Sequence, residues 1–230
     1  MSRAPVSDLS PLDWLPLTDD VPAVSGLPPG FAAYRKLLPP LGVDRSIPLT
    51  TYPFKAHGVA QLNARVAFWN AHGIVLGQPA PDRLTPITYR QVAAELGVAF
   101  TPAFGNEAIS RAYGGWPPHL GSSQALEVAF AQQLVDVLGP QGDAYFFGSV
   151  AEGAYRWDAQ GLPTDWLERG KAEDVVDFYQ QERRWPTYTF AVDQTWCLYQ
   201  GEDQELALGC SVAMSHTLQA HPTLETWSLI

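Results

Sequence analysis

The chain has 230 residues, 46% of them hydrophobic, and a net charge of −10. No apolar run approaches the ~20 residues of a membrane helix. Twenty prolines and nineteen glycines argue against an all-helical bundle, and a chain this long buries enough surface to fold without disulfides or metal.

The charge is uneven. Residues 1–139 carry ten acids and nine Lys or Arg, whereas residues 140–230 carry fourteen acids and five Lys or Arg. A negative field concentrated in the C-terminal part opposes contact with a phosphate backbone. It suits attraction to a basic protein.

Along the chain, residues 1–29 are rich in Pro and Asp and read as an irregular N-terminal arm. They lack the apolar core of a signal peptide, so an unprocessed cytoplasmic protein is expected. "FAAYRKLL", Phe31 to Leu38, reads as a short amphipathic helix stopped by Pro39-Pro40. Within 41–86, "RVAFWNAHGIVLG" fits either a strand pair or a helix followed by a strand. "TYRQVAAELG" reads as a helix with Thr88 as N-cap and Gly97 as its stop. "TPAFGNEAISRAYGG" adds a weak helical turn. "SSQALEVAFAQQLVDVLG" is the strongest helix, with a stripe of Leu126, Phe130, Leu134, Val137 and Leu138.

Beyond residue 140 the period becomes strand-like. "AYFFGSV" and "AYRWDAQG" read as a hairpin turning at 151–153. "KAEDVVDFYQQE" is a helix with Val175, Val176, Phe178 and Tyr179 facing inward. "YTFAV", "TWCLYQ" and "QELALG" are strands, "SVAMSHTLQAH" is a helix, and "LETWSLI" is a last strand. The expected fold is α+β: a mainly antiparallel sheet in the C-terminal half, with helices packed on one face. Residues 30–230 are expected to form a single domain, helix-rich over 30–139 and strand-rich over 140–230.

Several residues invite a chemical reading. "ELALGCSVAM" places Ser211 after a strand and at the start of a helix, as some hydrolases present a nucleophile. The chain supplies no acid and His in reach behind it, so an N-cap is the preferred reading. His57, His72, His119, His216 and His221 show no metal-ligand spacing, and no cofactor-binding motif is present. Cys197 and Cys210 lie on neighbouring strands and are expected to be reduced core thiols. Arg183, Arg184 and Trp185 are the concentrated positive charge of the acidic half. Arg184 and Trp185 either anchor a partner or serve structure, with Trp185 filling a gap and the Arg pair neutralising Glu173, Asp174 and Asp177.

The C-terminal residues also resemble a family. Trp185-Pro186, Asp193 with Trp196, Glu202-Asp203, Gly209 with Ser211, and Pro222 with Leu224-Glu225 resemble the closing pattern of a family of uncharacterised bacterial proteins. "PPGFAAYRKLLPP", "ITYRQVAAELG", "GSSQALEVAFAQQLVDVLG" and "YFFGSVAEG" are similar to its earlier segments in the same order. That family has no assigned activity, so the resemblance implies no catalytic residue.

Two functions are compatible with these features. The first is a non-catalytic, immunity-like binding protein that docks a basic partner, with Arg184, Trp185, Glu202, Asp203 and Glu205 as candidate contacts. Glu173, Asp174 and Asp177 are then expected to converge with Glu202, Asp203 and Glu205 on one face. The second is a small hydrolase-type enzyme built from dispersed carboxylates such as Asp158, Asp193 and Asp203.

Overall fold

The computed structural model describes residues 3–17, 23–54, 58–201 and 206–230. In chain order its elements are β1 (Ala4–Pro5), β2 (Ala33–Leu37), β3 (Leu41–Val43), α1 (Val59–His72), β4 (Thr85–Ile87), α2 (Tyr89–Glu95), α3 (Asn106–Tyr113), β5 (Leu120–Gly121), α4 (Gln124–Leu138), β6 (Asp143–Gly148), β7 (Arg156–Trp157) and β8 (Pro163–Thr164). They continue with β9 (Trp166–Lys171), α5 (Asp174–Glu182), β10 (Tyr188–Ala191), β11 (Cys197–Gln200), β12 (Leu206–Cys210), α6 (Val212–Ala220) and β13 (Thr226–Ser228). The chain divides into two compact units. Met1–Pro39 and Val128–Ile230 make the first, and Pro40–Glu127 the second.

The first unit is built on an antiparallel sheet of eight strands in the order β1-β9-β6-β10-β11-β12-β2-β13. The fold class expected from sequence, α+β with a mainly antiparallel sheet, is the one found. The five strands read from sequence around residues 145, 189, 198, 208 and 227 all belong to this sheet. Alternation along each strand sends residues to opposite faces. Ala144, Phe146, Leu198, Leu206 and Leu208 meet α4, α5 and α6 through Phe130, Leu134, Val175, Phe178 and Leu218. On α4, Val137 is partly buried against this core as expected, and Val135, outside the expected stripe, is fully buried.

The opposite face carries Phe147, Leu167, Tyr188, Phe190 and Cys197. Leu12, Leu15 and Leu27, with Trp14 and Phe31, pack against it. The described part of the expected N-terminal arm is therefore a cover for the sheet. It also adds an edge strand, with Ala4 opposite Arg169. Fully burying each large side chain contributes about 1.5–3 kcal/mol, and Phe146, Phe147, Phe178 and Phe190 are all essentially inaccessible.

Two expectations fail here. "FAAYRKLL" is not a helix: Ala33–Leu37 forms β2, paired with β12 on one side and β13 on the other. Ladder pairing on both edges and burial on both faces override local helix propensity. The second is the hairpin at 151–153. Residues 156–157 do not return along β6 but pair with 163–164 as a separate ribbon. The neighbours of β6 are β9 and β10.

The second unit contains the three-stranded sheet β4-β3-β5 and helices α1, α2 and α3. "RVAFWNAHGIVLG" resolves as the end of α1 followed by a tight turn, with Val75 bridging Gln78. Thr88 caps α2 in a full capping box with Gln91. The weak turn expected near 106 is a two-turn helix, α3. Ile47, Tyr52, Phe68 and Ile74 form a small core of this unit.

Candidate functional site

Ser211 is an N-cap. Its backbone is extended (φ −71°, ψ 160°) and its hydroxyl accepts a 3.2 Å hydrogen bond from the Met214 amide. Gly209 lies within β12 rather than in a sharp elbow. A Cβ on it would overlap the Phe31 ring, so glycine is used here to admit the cover. Cys197 and Cys210 are both free and buried. Cys197 pairs with Gly209 in the ladder, so Cys210, one residue on, points to the other face. A disulfide would need a register slip.

Trp185 is 5% exposed and packs into the core against Phe130 and Tyr179. An indole placed there offers nothing to a partner. Arg184 donates to the carbonyls of Gly153 (2.9 Å) and Tyr155 (2.6 Å) and lies 3.8 Å from Glu182. It holds the loop after β6 in place and does not neutralise Glu173, Asp174 or Asp177. Glu202, Asp203 and Glu205 lie outside the described residues, as does His57.

The proposed carboxylate sites are mostly turn-formers. Asp158 accepts from the amides of Gln160 and Leu162, both at 2.8 Å. Asp193 accepts from the Thr195 amide and hydroxyl. Both are Asx-type turns. Asp203 lies outside the described residues. His221 accepts from the amides of Thr223 and Leu224 at the end of α6. Among the described residues no group of three His, Cys, Asp or Glu side chains could hold a metal ion.

Ladder registers place the acids. Asp143 pairs with Lys171, and Asp174 accepts from the Lys171 amide at 2.7 Å. Glu173 and Asp174 therefore sit at the Asp143 end of the sheet. Tyr188 pairs with both Phe147 and Tyr199, so Gly148, Gln200 and Gly201 are at the other end. The expected partners of Glu173 and Asp174 in convergence, Glu202, Asp203 and Glu205, lie outside the described residues. Asp174 is buried, and Glu173 accepts from Gln141. Two acids of the segment between β6 and β9 share the Gly201 end: Glu152 lines the same cavity as Gly201, and Asp165 accepts from the Val150 amide, two residues past Gly148, at 2.6 Å.

A cavity of about 500 Å³ opens at this end of the first unit. Its floor follows from register. On the cover face, Leu167, Phe147, Tyr188, Tyr199, Ala207, Lys36 and Trp227 form one row across seven strands. The cover buries Leu167, Phe147 and Tyr188. Ala207 is the small residue between Tyr199 and Lys36, and the space above it is the cavity. Ser25, Gly26, Ala151, Glu152, Gly201 and Leu229 complete the walls. Gly26 has φ +79°, and a Cβ there would overlap the Tyr199 ring. Its carbonyl accepts from the Tyr188 hydroxyl at 2.7 Å. Burial, with Tyr199, Cys197 and Glu152 nearby, pushes the Tyr188 phenol far above its usual value and keeps it a donor. None of the floor was singled out from sequence. The signals were slight: Gly26 in "SGLPPG" and one small residue, Ala207, on the cover-facing positions of "LALGC".

The ribbon β7–β8 stands beside the cavity's Ala151-Glu152 wall in sequence. It exposes Trp157 (65%) and Leu162 (61%). Arg156 bonds Glu168 at 2.5 Å and lies 4.2 Å from the centre of the Trp166 ring, which anchors the ribbon's base.

In the second unit, His119 and Asp44 are both buried. The Asp44 amide donates to the His119 carbonyl at 2.8 Å, and the Asp44 carboxylate accepts from Ser46 and pairs with Arg83. Burial lowers the His119 pKa, with Glu95 and Asp44 opposing the shift and Arg45 aiding it. This cluster ties β3, β5 and the turn before β4 together.

No family model, curated protein or solved structure matches this chain. Among the described residues no helix is long and apolar enough to cross a membrane.

Proposed function

We propose that this chain is a non-catalytic, immunity-like binding protein that docks a basic partner protein through the Gly201 end of its large sheet. One observation carries the reading. Glu152 and Asp165 come from one segment at this end, while Gly201 and Leu206, both lining the cavity, are joined in sequence by a run containing Glu202, Asp203 and Glu205. The described acids of the earlier segment thus lie near the two residues that flank that run in sequence. At the opposite end Asp143 is matched by Arg169 and Lys171. The cations near the Gly201 end, Arg156 and Arg184, are engaged with Glu168, Glu182 and backbone carbonyls, and an excess of acids at this end raises the encounter rate with a cationic surface. A cytoplasmic location fits this role.

The test is a titration with a deca-lysine peptide at several salt concentrations. Affinity is expected to fall steeply with salt, since exposed charges are screened beyond ~8 Å at physiological ionic strength. Replacing Glu152, Glu202, Asp203 and Glu205 by Lys should abolish binding. Replacing the same number of exposed acids elsewhere, Asp13, Asp82, Asp136 and Asp177, by Lys should reduce it much less. Equal losses from the two sets would show attraction to net charge alone, and the reading would fall.

A further inference from the structure

We propose that the cavity over Ala207 receives a single arginine or lysine side chain of the partner, its cationic head against Glu152 and its stem along the apolar walls. This rests on the reading above and assigns the cavity a ligand class. The volume, about 500 Å³, lies within the range of small-ligand pockets and admits a long side chain with its flanking backbone. The walls are of two kinds. Ala151, Ala207 and Leu229 are apolar and Tyr199 is aromatic, a surface on which a methylene stem or a guanidinium plane packs well.

Charge fixes the direction of entry. Among the described lining residues Glu152 is the acid and Lys36 the cation. They come from different walls, Glu152 from the loop after β6 and Lys36 from β2. A cationic head is drawn to the Glu152 wall, so it enters with that head toward the loop after β6. The cavity owes its depth to Ala207. Its ladder neighbours Tyr199 and Lys36 are both long, and any larger residue between them would fill the space.

The probes are N-acetyl-arginine amide, which has no carboxylate, the neutral N-acetyl-glutamine amide, and free arginine. Binding is read from amide shifts of Gly26, Gly201 and Ala207 by NMR. The arginine amide should shift these signals saturably and the glutamine amide should not. Glu152→Gln should weaken the arginine amide by about tenfold, the loss of one charge-assisted hydrogen bond. Ala207→Leu should abolish binding. Glu152 is a half-buried loop residue, so its variant keeps the test sound even if Ala207→Leu disturbs the fold. Equal binding of the neutral amide, or unchanged binding in Glu152→Gln, overturns the proposal. Free arginine binding more tightly than its amide also overturns it, because the site would then be recognising a carboxylate through Lys36. If deca-lysine still binds through the acids while the arginine amide leaves these signals unmoved, the docking surface stands and the cavity's role falls. If neither binds, both fall.

Discussion

At the scale of single residues, the groups that look reactive in the sequence are employed in holding the chain. Ser211 caps, Asp158 and Asp193 shape turns, and the two thiols are packed on opposite faces. His119 is the one whose titration has a measurable consequence. Its folded pKa lies below the ordinary 6.5, chiefly through burial, so the unfolded chain binds its proton first as the pH falls. Stability from this group is complete above about pH 6.5 and declines as pH drops through the folded value. Asp44 acts lower. Burial raises its pKa, but the Ser46 bonds and the Arg83 ion pair outweigh that and leave it below 3.8; its contribution is lost only in stronger acid. Denaturant melts between pH 7.5 and 5 should therefore show a decline that His119→Gln removes and that changes at Asp44 do not. An unaltered slope in His119→Gln would place the acid sensitivity elsewhere.

At the scale of elements, legibility followed period and punctuation. Capped helices such as α2 and the alternating strands β6, β10, β11 and β12 were readable because their signals are local. β2 was not, since "AYRKL" holds Arg35 on an inward face, where its Nε donates to the Ser215 hydroxyl at 2.8 Å and the Gln219 amide meets the guanidinium. Only the helix α6, far along the chain, makes a buried Arg acceptable there. β9, "WLERGK", was missed for a similar reason. Its Glu168 is buried between Arg3 and Arg156, so a polar residue sits where alternation expects an apolar one. The segment between β6 and β9 depends on Gly148. The Trp166 indole donates to the Ala154 carbonyl at 2.7 Å directly over it, and a Cβ would overlap both groups. Gly148→Ala should cost about 2–4 kcal/mol through overpacking and the broken buried hydrogen bond. Gly153→Ala, in open space at φ +74°, should cost only about 1 kcal/mol of backbone strain. In equilibrium urea unfolding, a Gly148→Ala variant no less stable than Gly153→Ala would show that neither the Trp166 bond nor the close packing over Gly148 matters.

At the scale of the whole molecule, the least legible feature was the use made of the first thirty residues. Their prolines and aspartates suggest a solvated arm, and no periodicity marks Leu12, Leu15 and Leu27 as core. Yet the large sheet is apolar on both faces, and its helices cover only one. An antiparallel sheet can leave one face to water when that face is polar; here it carries Phe147, Leu167, Tyr188 and Phe190, so a second cover is obligatory. The early segment supplies it, and by resting Gly26 on Tyr199 it also closes one wall of the candidate cavity. Stability and the proposed binding site are thus coupled through the same stretch of chain. Leu12→Ala and Leu15→Ala should each cost about 2–5 kcal/mol, the range for buried leucines, and the double variant should bind a hydrophobic dye while keeping its far-ultraviolet circular dichroism. Its Gly26 and Tyr199 amide signals should broaden before those of α4 and α6, because the cover detaches before the helical face opens. A double variant that melts within a degree or two of the parent, with those signals unchanged, would show that the sheet does not need this cover.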